Sequence, residues 1–247
     1  MKFQAFIAAT AALVGTAVAL PTNRDGTSTA LAPELSKRAP PVLGNPVSYD
    51  DETKANKAYW AYTAVTGPVS DDQLWAYAKG YYEKLKGLEG HDRAAKTSSE
   101  MILVSVIHRP GHGVFMGTKP TTTAKHKETF ADNIKNDAES SAPKVKDVVD
   151  TRDKNSEKKQ DGKDGLSRIH SEDFTFMQAT KQLGSGFEND EHTKGAVYGT
   201  LSRNPAGPQN NCGKRGNTAT VDPSCSLADH HFYHINYLDK STFPKNL

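Results

Sequence analysis

Residues 101–117 read MILVSVIHRPGHGVFMG, and this stretch decides the fold. Its first part, Met101–Ile107, is apolar except for one serine, which is typical of a central strand that is buried on both faces. The segment Arg109–Gly113 contains a proline and two glycines and predicts a turn. Val114–Gly117 then returns as a second strand, so the stretch predicts a β-hairpin at the centre of a sheet.

Helical patterns lie on both sides of this hairpin along the chain. Ser70 and Gln73 have the spacing of a capping box, and the helix that they begin is expected to end at Gly87. A second helix is predicted over Ile169–Leu183, followed by strands at Gly195–Leu201 and, near the C-terminus, from His234 to Leu238. This order of elements predicts the α/β class, as an α/β/α sandwich around a small mixed sheet.

Residues 119–165 interrupt this pattern with a segment rich in lysine and acidic residues. A helix is predicted over Lys127–Ala138. Nine of the fifteen residues from Thr151 to Gly165 are charged. Because such a composition offers little apolar surface to bury, we expect a charged, partly disordered insertion in the single domain.

The first residues have the pattern of a secretory signal peptide. Lys2 precedes an apolar run that extends to Val18, and Ala17-Val18-Ala19 matches the small-residue cleavage site. We therefore assign residues 1–19 to a signal peptide and expect a secreted, extracellular protein. After cleavage we expect no stable membrane association.

Residues 20–38 are rich in proline, threonine and serine and end in a second processing signal. Lys37-Arg38 resembles the dibasic site at which fungal furin-like proteases remove a propeptide, so the mature chain would begin at Ala39. Removing four basic and two acidic residues from the 31 and 29 of the whole chain leaves 27 of each. A mature net charge near zero does not indicate a globally basic nucleic-acid binder.

The mature chain divides into an N-terminal helix and hairpin (39–118), the charged insertion (119–165) and a C-terminal half (166–247) that carries the candidate site. His170, Cys212 and Cys225 provide one imidazole and two thiols, a set that can bind zinc and leave a fourth position open for water. Zinc lowers the pKa of that water and so provides a hydroxide nucleophile. Glu172, two residues from His170, is placed to transfer protons.

These residues resemble the zinc-dependent cytidine and nucleic-acid deaminase superfamily, whose signature is H-x-E followed by P-C-x-x-C. The resemblance is carried by the hairpin, by His170-Ser171-Glu172, and by the later segments around Cys212 and Pro223-Ser224-Cys225. More narrowly, the chain looks like secreted fungal deaminase-like proteins. The resemblance implies a cytidine-deaminase-like fold, His170, Cys212 and Cys225 as zinc ligands, Glu172 as the acid and base, and a nucleoside or nucleic-acid substrate.

The two cysteines also allow a different reading. In an exported chain two cysteines often pair, and a Cys212–Cys225 disulfide would stabilise the fold by about 3 kcal/mol. The same sulfur atoms cannot form that bond and bind zinc as thiolates. The protein would then be a non-enzymatic effector that interacts with a host protein target.

Other histidines offer further candidates. His108 and His112 flank the hairpin turn and, with Glu100 and the cations Arg109 and Lys119, could serve a metal-free nuclease.

Two further histidine patterns are weaker candidates. A second H-x-E, His126-Lys127-Glu128, lies in the charged insertion and is not followed directly by a strand. His230 and His234 would share a helix face at i, i+4.

Overall fold

The computed structural model describes residues 41–49, 56–88, 102–157, 169–184, 192–200, 205–210 and 233–247. A β-sheet runs through this part of the chain. All of these residues belong to one compact unit, Ala39–Leu247. Within them the strands are β1 Val47–Ser48, β2 Tyr59–Thr63, β3 Leu103–Arg109, β4 Gly113–Thr118, β5 Lys194–Gly199, β6 Gly207–Gln209 and β7 Asn236–Tyr237. The helices are α1 Asp71–Lys86, α2 Lys127–Ser141, α3 Pro143–Glu157 and α4 Ser171–Leu183.

The predicted hairpin lies in the middle of the sheet. The strand order is β1-β2-β4-β3-β5-β6, and neighbours in this order are antiparallel. β7 pairs in parallel with β5 at Lys194 and Gly195, beside the stretch of β5 that pairs with β6. The central position of β3 explains its apolar sequence, since both of its edges and both of its faces are covered.

The turn of the hairpin depends on two glycines. The amide of His112 donates to the carbonyl oxygen of Arg109 at 3.1 Å. Gly111 and Gly113 have φ angles of 78° and 124°, which residues with a side chain rarely adopt. The Gly-His-Gly sequence therefore fixes where the two strands reverse.

Alternate residues of the hairpin face two separate hydrophobic cores. Val104 and Val106 of β3 pack in the core that α1 covers, whereas Ile107 and Phe115 pack in the core formed by α2, α3 and α4. Helices thus cover both faces of the sheet, in three layers. The predicted α/β class is confirmed.

The helix α1 begins and ends as its sequence predicts. The Ser70 hydroxyl accepts from the Gln73 amide, and the Gln73 side chain accepts from the Ser70 amide. Gly87 follows the last turn. The C-terminal residues pack across this helix: the ring of Phe243 lies 5.5 Å from that of Trp75, and the Trp75 indole donates to Thr242.

The charged insertion is largely helical where the structure describes it. The predicted helix is confirmed as α2, but the expectation of a solvated loop after Ala138 is wrong for residues 143–157, which form α3. Val145, Val148 and Val149 of α3 are buried in the same core as Phe130 of α2. The valines have i, i+3, i+4 spacing and form one apolar face of the helix. The average composition of the segment does not reveal this face, because the other faces carry many charged residues. Residues 158–165 lie outside the described part.

Three of the observed strands were not predicted from the sequence. β2 forms within a segment before α1 that contains Tyr59, Trp60 and Tyr62, β1 pairs with it through two residues, and β6 pairs with β5. β1 and β6 have only two and three residues, too few to show an alternating pattern. The sequence also predicts a short helix over Ser224–His231, and these residues lie outside the described part.

The contact between α4 and the hairpin depends on the absence of a side chain at Gly117. A Cβ atom built there would lie 2.6 Å from the Thr175 hydroxyl and 2.7 Å from its backbone nitrogen. These distances are shorter than any van der Waals contact, and backbone atoms of a packed helix cannot move aside easily.

We predict that Gly117→Ala will lower the free energy of unfolding by about 1–3 kcal/mol, as expected for overpacking. Chemical denaturation provides the measurement. Gly67→Ala is the control, because nothing lies within 4 Å of a Cβ atom at Gly67. Equal stability of the two variants would mean that α4 does not lie this close to β4.

His108 of β3 is buried on the α1 side of the sheet. Its side chain is 3% exposed, and its Nε2 atom has no hydrogen-bond partner among the described residues. Burial and, to a smaller extent, the charge of Lys194 lower the pKa of His108. Lys194 is the neighbour of His108 on β5 and pairs with Asp71 of α1 at 2.7 Å.

Because the pKa of His108 is lower in the folded protein, the unfolded chain takes up a proton first as pH falls. We therefore predict that the free energy of unfolding decreases below about pH 6.5, the ordinary pKa of histidine. His108→Leu should make this decrease shallower, whereas His112→Ala, which removes an exposed imidazole, should not. Denaturation curves between pH 5 and 8 test this, and an identical slope in His108→Leu would contradict it.

Candidate functional site

The predicted H-x-E sequence forms the beginning of α4. His170 is the residue before the helix, and Ser171 and Glu172 form the start of its first turn. Asp173 completes this turn by accepting a hydrogen bond from the His170 amide at 2.7 Å. This acceptor satisfies one of the amide groups that a helix leaves unpaired at its N-terminus.

The carboxylate of Asp173 is the most buried acidic group of this turn, with 0% exposure. Besides the His170 amide, it accepts from the Arg152 guanidinium of α3 and, at 2.8 Å, from the Tyr233 hydroxyl. Burial alone would raise the pKa of Asp173. The charges of Arg152 and His170 and these hydrogen bonds outweigh burial and lower it, so that Asp173 remains ionised.

Glu172 is buried beside Asp173, with 4% exposure. It accepts a hydrogen bond from the Ser171 hydroxyl at 2.7 Å. Arg152, itself 6% exposed, interacts electrostatically with both carboxylates; burial would lower its pKa, but these negative charges raise it. One cation therefore lies within electrostatic range of two adjacent buried carboxyl groups and pairs directly with Asp173.

The whole of α4 is unusually polar for a buried helix. Of its ten buried residues, six are polar: Ser171, Glu172, Asp173, Thr175, Gln178 and Thr180. Some of them are satisfied by backbone, as where the Thr175 hydroxyl lies 2.6 Å from the Ser171 carbonyl and 3.2 Å from that of Ser105. The Gln178 Nε2 atom has no partner within the described residues. Burial of the other polar groups is tolerated only because hydrogen bonds replace the water that they have lost.

The structure brings together two of the four predicted site residues. His170 and Glu172 are neighbours in the same turn, and the Lys119 ammonium donates to the carbonyl oxygen of Ile169, immediately before them, at 3.3 Å. Cys212 and Cys225 lie outside the described residues, so the zinc ligand set and the disulfide both remain predictions. In the described ranges no three histidine, cysteine, aspartate or glutamate side chains form a group suited to a metal ion.

The second H-x-E sequence lies in a different environment. His126 ends a short 3-10 helix and Glu128 lies in the first turn of α2, where its side chain is exposed. Both histidines are half-buried, whereas the glutamate of the pattern is exposed in this copy and buried in the other. The copy at His126 provides a matched control for the copy at His170.

The residues of the nuclease alternative are not brought together. His108 is buried under α1, whereas His112 is exposed in the hairpin turn. Lys119 follows the opposite end of β4, six residues from Gly113, which corresponds to about 20 Å along a strand. Glu100 lies outside the described residues.

The helical spacing proposed for His230 and His234 does not hold. His234 has a φ angle of 52°, which an α-helix does not accommodate, and the residues around it are not helical. His230 lies outside the described residues.

Sequence reasoning missed Arg152 and Tyr233, which bind Asp173. A signal for Arg152 was available, because this residue continues the stripe of Val145, Val148 and Val149 by one further turn. An arginine on an apolar helix face predicts a buried anion as its partner. Tyr233 has no comparable signal, since its contact with Asp173 spans 60 residues.

None of the helices in the described ranges is both long and apolar enough to cross a membrane. No family model matches the chain, and neither a curated protein nor a solved structure shows significant similarity to it.

Proposed function

We propose that this chain is a secreted, deaminase-like hydrolase that uses zinc to act on a nucleobase-containing substrate. The observation that carries the proposal is the buried Glu172 beside His170 in the first turn of a helix that packs on the central hairpin. The order of hairpin, H-x-E helix and a strand next to β3 agrees with the resemblance to the deaminase superfamily. A cytidine-deaminase-like fold is part of the proposal.

The chemistry of the donor set fits zinc. His170 would supply an imidazole from the N-terminus of α4, and Cys212 and Cys225 would supply two thiolates. A zinc ion bound by them would lower the pKa of a bound water to near neutrality. With three protein ligands, such a site would leave room for that water, as catalytic zinc sites do.

Glu172 would transfer the protons. Its carboxylate takes a proton from the attacking water while a bond forms between the water oxygen and the amino-bearing carbon of the base. It then delivers a proton to the amino nitrogen as the carbon–nitrogen bond breaks. Ammonia leaves, and the proton that remains on the added oxygen passes to the adjacent ring nitrogen, so that the base carries a carbonyl group in place of its amine. The hydrogen bond from the Ser171 hydroxyl holds the buried Glu172 carboxylate in place.

The opposite reading is a non-enzymatic effector in which Cys212 and Cys225 form a disulfide. On that reading the buried carboxylates of α4 serve the fold alone. Zinc content and free thiols separate the two readings, because the same sulfur atoms cannot serve both.

The test uses the exported chain, secreted from a eukaryotic host and purified without chelator or reductant. We expect one zinc per chain, two free thiols on denaturation, and ammonia release from at least one member of a panel of cytidine, adenosine and single-stranded oligonucleotides. His170→Ala should remove the zinc, whereas His126→Ala should retain it. A disulfide together with no zinc would overturn the proposal.

Glu172→Gln should keep zinc and fold but lower the rate of ammonia release by at least a hundredfold, because the amide cannot take up a proton. Glu128→Gln, the same change in the exposed copy, should leave the rate unchanged. Equal rates in both variants would exclude Glu172 as the proton-transfer group.

A further inference from the structure

We propose that Arg152, Asp173 and Tyr233, together the Asp173 cluster, position the His170–Glu172 turn for function. The purpose of this positioning rests on the proposed function. The cluster itself consists of contacts in the described residues.

Three separate parts of the chain converge on the Asp173 carboxylate. Arg152 comes from α3 of the charged insertion, the His170 amide comes from the turn itself, and Tyr233 precedes β7. Asp173 thus fixes the backbone at His170 while it is held from two sides. A change in either partner would be transmitted to the first turn of α4 through this one carboxylate.

Stability alone does not account for a cluster of this kind. A buried ion pair loses hydration on both partners, and its replacement by apolar residues of similar volume is often neutral or stabilising. Arg152 continues a stripe of valines, so an apolar residue at this position would suit the core of α3. Its charge is instead directed at an N-terminal turn that contains His170 and Glu172.

The cluster gives the two adjacent carboxylates different tasks. Asp173 is engaged by three donors and serves as a structural anion. Glu172 receives the Ser171 hydroxyl and lies one residue away, within the electrostatic influence of the same arginine. Asp173 therefore positions the turn, and the proposed function assigns proton transfer to Glu172.

Tyr233 contacts α4 at two points. Its hydroxyl donates to the Asp173 carboxylate at 2.8 Å. Its ring stacks on that of Phe176 at 4.2 Å with an interplanar angle of 19°, one turn along α4 from Asp173. The hydroxyl and the ring together fix Tyr233 against the beginning of the helix that follows His170.

The test compares Tyr233→Phe and Arg152→Lys with a control, Lys181→Met, which removes a cation from the other end of α4. Both test variants keep the size and, for lysine, the charge of the original residue, so both should fold. Residue-resolved amide exchange should accelerate at least tenfold at His170 in the test variants but not across Phe176–Thr180. The control should match the wild type.

The second readout is zinc affinity, measured by competition between the protein and a chromophoric chelator for Zn²⁺. Tyr233→Phe should weaken zinc binding by about tenfold, the low end of the effect of losing an outer partner of a ligand, because Tyr233 acts on His170 only through Asp173 and the backbone amide. Arg152→Lys, which keeps the charge, should weaken it less. Uniform acceleration of exchange along α4, or an exchange rate at His170 equal to that of Lys181→Met, would overturn the positioning role. If the wild type binds no zinc, the proposed function fails, and the exchange data alone decide on the cluster.

Discussion

The buried carboxylate of Asp173 is the constraint on which the candidate site depends. An ionised carboxylate with 0% exposure is stable only if donors replace the water that it has lost. Arg152, the His170 amide and Tyr233 are these donors, and they come from three separate parts of the chain. α3 must therefore pack against α4, and the chain must return to this turn before β7 begins.

Strands β3 and β4 accommodate the polar helix α4 through two close contacts. Gly117 lets the backbone of α4 approach β4 closely, and the carbonyl of Ser105 on β3 lies within hydrogen-bond distance of the Thr175 hydroxyl. The opposite face of the same two strands carries valines and methionine against α1. One side of the hairpin thus provides an apolar core, and the other accommodates the buried polar groups that the proposed chemistry requires.

The sequence predicted the features that depend on neighbouring residues. The hairpin, the capped helix α1 and the H-x-E turn are encoded by local patterns, and the structure contains each of them. α3 was missed because its many charged residues obscured a three-valine stripe. The partners of Asp173 were missed because they lie 21 and 60 residues away, and sequence periodicity carries no information about such contacts. The ligand set and the activity remain proposals, since both cysteines lie outside the described residues.

A double-mutant cycle between Arg152→Gln and Asp173→Asn tests the central interaction most directly. Each single change leaves one buried charge without its partner and should lower the free energy of unfolding by about 3–5 kcal/mol. The double variant removes both charges and should lose much less than the sum, with a coupling of about 2 kcal/mol or more. Additive losses would contradict the account, because they would mean that the Arg152 guanidinium and the Asp173 carboxylate do not depend on each other.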